Sequence, residues 1–253
     1  MPRSKRLRII AGPNGSGKST LIHILNKKVS CGTYINTDDI EKILKERKYL
    51  DLSEYLSEPA TQDQFVAFMQ KDTSQSMVAK AIAAGIVVDL ELKENVLLIG
   101  DDTNSYEAAL AGEFIKDRLL AAGEPFTFET VMSHPSKLEF MERAIAAGYK
   151  VYLYFVATES VEINISRVAQ RVRKKGHAVD EGHIRSRYTN TLQLLSKTAP
   201  LTYRTYLFDN SVDNKPLEPV AEVFNGEQKE FIQYYDTIPN WVSTYVTKPL
   251  GFV

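Results

Sequence analysis

The sequence predicts an α/β fold built on a doubly wound parallel sheet, and three observations carry that expectation. A glycine-rich loop, Gly12-Pro13-Asn14-Gly15-Ser16-Gly17-Lys18-Ser19, lies between an apolar run and a helix-like run. Strand-like and helix-like runs then alternate along most of the chain, the pattern that sets parallel strands beneath crossover helices. Glycines follow two of the helical stretches, Gly123 and Gly148, where a left-handed residue closes a helix. With 253 residues, 43% of them hydrophobic, the chain can bury a real core, which argues against wholesale disorder. A single domain over 1–253 is expected, with an insertion at about 50–103 and a hairpin or cap at about 213–253.

In order, residues 7–11 read as the first strand, and the helix after the loop starts at Ser19 or Thr20, with Leu21, Ile24 and Leu25 on one face. Residues 33–36 read as a short strand that delivers Asp38 and Asp39 beyond its end, ahead of an amphipathic helix carrying Ile40, Ile43 and Leu44. The rhythm breaks over 50–103. There 64–70 and 77–84 look helical and 86–90 and 96–99 are short apolar runs, which makes a mostly helical insertion. It resumes with a helix over 106–122, a strand over 126–129, a helix over 137–147 and a strand over 150–156. Helices over 160–173 and 181–196 and a strand over 205–208 follow. In the tail, Pro216 and Pro219 with apolar runs at 220–224 and 231–235 suggest a hairpin or irregular cap.

Composition narrows the function classes. The 31 basic and 32 acidic residues give no global pull toward nucleic acid or an anionic membrane, so neither is an expected partner. A single cysteine, Cys31, excludes an internal disulfide and a multi-cysteine metal site. No apolar stretch approaches the roughly 18 residues of a membrane helix, and the basic start lacks a following apolar region. The expected compartment is the cytoplasm, where ATP and Mg²⁺ are available.

The loop itself announces a nucleoside triphosphate. Gly12, Gly15 and Gly17 let consecutive backbone N–H groups point at a phosphate, Lys18 reaches the β and γ oxygens, and Ser19 offers a hydroxyl to Mg²⁺. Thr20 continues the helix whose positive end faces the same anion.

Four further groups could carry chemistry. Asp38 or Asp39, past a strand end, could take a proton from a hydroxyl that attacks the γ-phosphate, or could merely cap the next helix. Glu129 and Thr130 end a strand on the same edge, where Glu129 could hold Mg²⁺ or bind acceptor hydroxyls, unless it is simply solvated. The stretch 167–187 holds seven Lys or Arg against two acids around Gly176-His177, which suggests a closing lid with Arg171 and Arg185 as charge-neutralising arginines. Its bland alternative is a solvated basic face. Finally, 96–99 followed by Gly100, Asp101 and Asp102 could be the Mg²⁺ motif of a P-loop ATPase that drives a conformational change in a partner.

Taken in order, the loop, Ile35-Asn36-Thr37-Asp38-Asp39, Phe128-Glu129-Thr130 with Ser133, Arg167 to Val172, Gly176 to Val179, Ile184 to Tyr188 and Phe208-Asp209-Asn210-Ser211 resemble the zeta-toxin family of P-loop kinases. The resemblance covers 5–48 and 104–212. It implies a nucleotide-kinase type of P-loop fold with a helical lid, and a kinase that uses ATP or GTP to phosphorylate a sugar hydroxyl of UDP-N-acetylglucosamine or a related UDP-sugar. By motif, Gly12 to Thr20 bind the nucleotide, with Lys18 on phosphate and Ser19 on Mg²⁺, and Asp38 is the acceptor's base. Glu129 and Thr130 line the substrate and metal site, and Arg171 and Arg185 are the lid arginines. Arg187 competes with Arg185 and is also a substrate-binding candidate. An antitoxin protein is the implied partner. The sequence departs from the family's lid, usually Gly-Gly-His with a proline two residues on, because Lys175-Gly176-His177-Ala178-Val179 lacks one glycine and the proline. The insertion falls where acceptor recognition would be built.

Overall fold

A computed structural model describes residues 5–100, 104–173, 179–226 and 228–252. From the N-terminus, β1 (Arg6–Ala11) leads through the glycine loop into α1 (Lys18–Leu25), followed by β2 (Thr33–Ile35) and α2 (Thr37–Arg47). Next come β3 (Tyr49–Asp51), α3 (Gln62–Met69), α4 (Asp72–Ala83), β4 (Leu90–Lys93) and β5 (Val96–Ile99). The chain continues through α5 (Ser105–Ala122), β6 (Phe126–Thr130), α6 (Ser136–Ala146), β7 (Lys150–Ala157), α7 (Val161–Arg173) and α8 (Glu181–Thr198). It ends with β8 (Arg204–Asp209), β9 (Pro219–Asn225), β10 (Lys229–Gln233) and the short helix α9 (Asn240–Val242), which runs on into a π-helical turn, Ser243–Thr247.

Two compact units emerge, one made of Met1–Cys31 with Thr127–Val253, the other of Gly32–Phe126. In the first, strands lie side by side in the order β10-β9-β8-β7-β1-β6. β1 pairs β7 in parallel from Arg6 against Lys150 to Ala11 against Phe155, and β7 pairs β8 in parallel. β8, β9 and β10 are antiparallel, with β9 and β10 forming a hairpin at the sheet's edge. Central parallel strands are covered on both faces and therefore read as continuous apolar runs. Leu7, Ile9 and Ile10 in β1, and Leu153, Phe155 and Val156 in β7, are all buried. On the hairpin side, one sheet face is closed by cations laid on rings. The Arg204 guanidinium sits 4.4 Å from the Phe224 centroid and 3.4 Å from Glu222, and Tyr154 stacks on Tyr206 at 5.0 Å.

The second unit holds α2 to α5 and a separate antiparallel sheet ordered β3-β5-β4. Its core gathers Phe65, Phe68 and Phe114, with ring centroids 5.2 Å apart in both pairs to Phe114. Buried Glu107 anchors the end of the insertion, accepting hydrogen bonds from the backbone N–H of Asp89 at 3.0 Å and of Asn104 at 3.1 Å.

The insertion carries more strand than the sequence indicates. β3 is added, and the apolar run at 86–90 is not a strand until Leu90. The reason is local: Gly85 turns left-handed at φ 73°, and the Ile86 N–H closes α4 by bonding to the Ala81 carbonyl at 2.9 Å. Elsewhere the expected elements occur with ends shifted by one to three residues.

Candidate active site

The glycine loop leaves β1 at its C-terminal end, the edge at which open α/β sheets bind ligands. Its three glycines have φ of 153°, 79° and 105°, and each is closely packed. A Cβ on Gly12 would lie 2.1 Å from the Val156 carbonyl oxygen, one on Gly15 2.7 Å from that of Asn164, and one on Gly17 2.3 Å from Asn210 Nδ2. Lys18 Nζ stays over the loop, donating to the carbonyls of Gly12 at 3.0 Å and Pro13 at 3.1 Å. Ser16 is fully buried, whereas Ser19 and Thr20, in the first turn of α1, are exposed.

Two asparagines that sequence reasoning assigned no role hold this loop in shape. Asn164, on α7, donates to the Asn14 carbonyl at 2.6 Å, and its Oδ1 is bonded by the Thr158 hydroxyl. Asn210, just after β8, donates to the Ser16 carbonyl at 2.8 Å, while its own carbonyl accepts from Arg167 at 2.6 Å. For Asn164 a signal existed: it lies four residues before Val168 on the buried side of an otherwise amphipathic helix, a polar residue in an apolar stripe.

The other predicted residues fall as follows. Asp38 is the second residue of α2 in the second unit, with an exposed side chain, and Asn36 takes the capping role by accepting from the Asp38 N–H at 2.9 Å. The carboxylate of Asp38 is therefore not spent on the cap. Glu129 and Thr130 end β6 and are half-buried. Thr130 Oγ1 accepts from the N–H of Met132, a left-handed residue at φ 57°, and Thr191 of α8 donates to the Val131 carbonyl at 2.9 Å. Arg171 is exposed near the end of α7. Arg185, exposed on α8, pairs with Glu162 at 3.0 Å and Glu181 at 2.9 Å. Those hydrogen bonds hold its charge more firmly, and Glu162, bonded first to its own backbone N–H and then to Arg185, stays below its usual carboxyl range. Arg187 is half-buried on the same helix. Asp101, Asp102 and Gly176-His177 lie outside the described residues.

Beside the loop, the segments after β7 and β8 and the chain approaching α9 enclose a cavity of about 380 Å³, with Glu159, Asp209, Asn210, Ser211 and Pro239 among its walls. Asn210 is thus shared by loop and cavity.

The sequence profile described as Zeta toxin matches residues 100–212. This segment, somewhat under half of the chain, is similar to the zeta-toxin family. It contains Glu129, Thr130, Arg171, Arg185 and Arg187, while the glycine loop and Asp38 precede it and rest on their own motifs. An uncharacterized protein of Haemophilus influenzae is 33% identical over 63 residues, which cover 25% of this chain and 45% of that protein. Among solved structures, one of AvrRxo1-ORF1:AvrRxo1-ORF2 with sulphate ions matches with a TM-score of 0.55 at 14% identity, covering 98% of this chain and 65% of that one. The same pair with ATP matches with a TM-score of 0.52, also at 14% identity, covering 98% and 64%. A chain of the PezAT chromosomal toxin-antitoxin system of Streptococcus pneumoniae gives 0.46 at 12% identity, covering 85% and 71%. The chain therefore spans less than half of the curated relative and just under two thirds of the AvrRxo1 chains. The zeta-toxin match agrees with the largely parallel sheet described above.

Proposed function

We propose that this chain is a kinase that transfers the γ-phosphoryl group of ATP or GTP to a hydroxyl of a small acceptor. The observation that carries the reading is the glycine loop, whose left-handed residues leave no room for side chains and whose strand and helix frame an anion site. A fold neighbour solved with ATP supports the same donor. The cavity that shares Asn210 with the loop is assigned to the donor's nucleoside, and its volume suits a small ligand of roughly 300–1,000 Å³.

In the proposed step the acceptor oxygen bonds to the γ-phosphorus as the bond to the β,γ-bridging oxygen breaks, and the nucleoside diphosphate departs. The hydroxyl proton passes to the Asp38 carboxylate, which also orients the nucleophile. Lys18, Arg171 and Arg185 offset charge on the transferred group, with Arg187 as the alternative to Arg185. Glu129 and Thr130 contact the acceptor. Ser19 and Glu129 would hold Mg²⁺, and the donor chemistry fits: both present hard oxygens, and Mg²⁺ takes few protein ligands and fills its shell with phosphate and water. Among the described residues no cluster of three or more His, Cys, Asp or Glu offers an all-protein cage instead. Bound there, the ion would neutralise phosphate charge.

The family resemblance supports a UDP-sugar such as UDP-N-acetylglucosamine as acceptor and an antitoxin protein as partner. Both units are read as one P-loop kinase domain with an insertion, working in the cytoplasm. Among the described residues no helix is long and apolar enough to cross a membrane. The test is nucleotide consumption with and without UDP-sugars, nucleosides and small metabolites, with products weighed by mass spectrometry. A phosphorylated acceptor is expected. Hydrolysis that no acceptor stimulates would replace the kinase by a P-loop ATPase.

A further inference from the structure

A side chain of the C-terminal segment beyond the family match is linked to the glycine loop by way of Asp209 and Asn210. Trp241, in α9, is 3% exposed, and its ring packs on Phe155 of β7 at 5.8 Å. Its indole N–H donates to Asp209 Oδ2 at 2.7 Å. The same carboxylate accepts from the Ser211 hydroxyl at 2.9 Å and, through Oδ1, from the Ser211 N–H at 3.0 Å. The Ser211 hydroxyl accepts in turn from the Glu159 N–H at 2.8 Å, and Glu159 Oε1 accepts from the Asn240 N–H at 3.1 Å. These bonds close a ring around the single residue they bracket, Asn210, whose amide holds the Ser16 carbonyl of the loop.

We infer that Trp241 is a positioning residue for the phosphate loop, acting through Asp209 and Asn210. The physical case is that Asn210 sits where the β7–β8 pairing ends, its N–H making one last bond, to the Ala157 carbonyl at 2.8 Å. There the Asp209 carboxylate, held by three donors, takes over. An indole donor is needed because a purely apolar ring would pack on Phe155 equally well and leave Oδ2 with one partner fewer. Removing a hydrogen bond to a charged group shifts a local equilibrium by about tenfold or more.

The test uses the full chain and two variants. Trp241→Phe keeps a ring on Phe155 and removes the donor. Asp209→Asn keeps the shape and removes the charge, and it serves if the first variant folds poorly. Hydrogen exchange in a peptide spanning residues 12–19, with no nucleotide added, should quicken about 5–10-fold in either variant, while peptides from β1 and β7 exchange as before. With ATP and Mg²⁺, KM for ATP in Trp241→Phe should rise by a similar factor of about 5–10 with kcat within about twofold. Trp241 is the chain's one tryptophan, so its emission should change as ATP binds and cease to do so in Asn210→Ala. Unchanged exchange at 12–19 in a folded variant overturns the inference, as does faster exchange spread evenly over the chain. The nucleotide measurements rest on the kinase reading. Local exchange that quickens in a protein that binds no ATP would keep Trp241's role and refute the donor instead.

Discussion

Gly12→Ala is the most demanding perturbation of the loop, because two independent costs fall on one methyl group. At φ 153° an alanine sits in backbone space that side chains avoid, at about 1–3 kcal/mol. Its Cβ would also lie 2.1 Å from the Val156 carbonyl oxygen, part of the paired strand β7, so strand or loop must move, at about another 1–3 kcal/mol. A combined loss of about 4 kcal/mol should lower the melting temperature by roughly 8–16 °C in a chain of this size. Gly85→Ala is the control. It shares a left-handed φ, 73°, but has no atom within 4 Å of the added carbon, so it should lose only about 1–2 kcal/mol. Scanning calorimetry measures both, and titration calorimetry with ATP and Mg²⁺ should show binding abolished in Gly12→Ala and kept in Gly85→Ala. If Gly12→Ala melted with wild type and bound ATP normally, the packing argument for the phosphate cradle would be wrong.

Other substitutions separate chemistry from scaffold. Asp38→Ala should keep nucleotide affinity by calorimetry and lower transfer to the true acceptor by roughly 10²-fold or more, whereas Lys18→Ala should weaken nucleotide binding itself. Near-normal turnover by the first variant removes Asp38 from the base's role. Glu107→Ala should cost about 2–4 kcal/mol in urea unfolding, since it strips two backbone N–H groups of their acceptor, and a loss under about 0.5 kcal/mol would contradict the anchoring role. Stability should also fall in alkali. Burial, with Tyr206 alongside, pushes Tyr154 up to about 12 from 10, so the unfolded chain loses that proton first. The contribution is therefore complete below pH 10 and lost as pH rises toward 12. Tyr154→Phe should flatten that limb of a pH-melting curve, and an unaltered slope would deny the burial cost.

Much of the fold was legible because its signals are local. β1, β7 and β8 declare themselves as buried apolar runs, and α5 opens at an asparagine cap and closes at left-handed Gly123. β3 was not legible: its three residues follow directly on Lys48, which ends α2 at φ 65°, and become a strand only through pairing with Val96 to Leu98. The site divides in the same way. Gly12 to Ser19 could be read from spacing alone, but the support from Asn164 and Asn210 could not, because Asn164 meets Asn14, and Asn210 meets Ser16, only across the folded chain. Arg185 illustrates a further limit, since its type suggested a role with the donor while its partner Glu162 depends on α7 and α8 coming together; only Glu181, four residues earlier on the same helix, is a pairing that spacing offers.

The pairing of β1 with β7 has a consequence for how the protein is made. Arg6 waits for Lys150, so the strand that carries the phosphate loop leaves the ribosome long before its neighbour exists. At synthesis rates of about 5–20 residues per second the delay is roughly 7–30 s. Through that interval an apolar strand stands with an open edge, while Gly32–Phe126, contiguous in sequence, has every residue it needs to begin collapsing. The nucleotide site is then among the last features to form, and a chain interrupted before β7 has the phosphate-loop motif without the strand on which it rests.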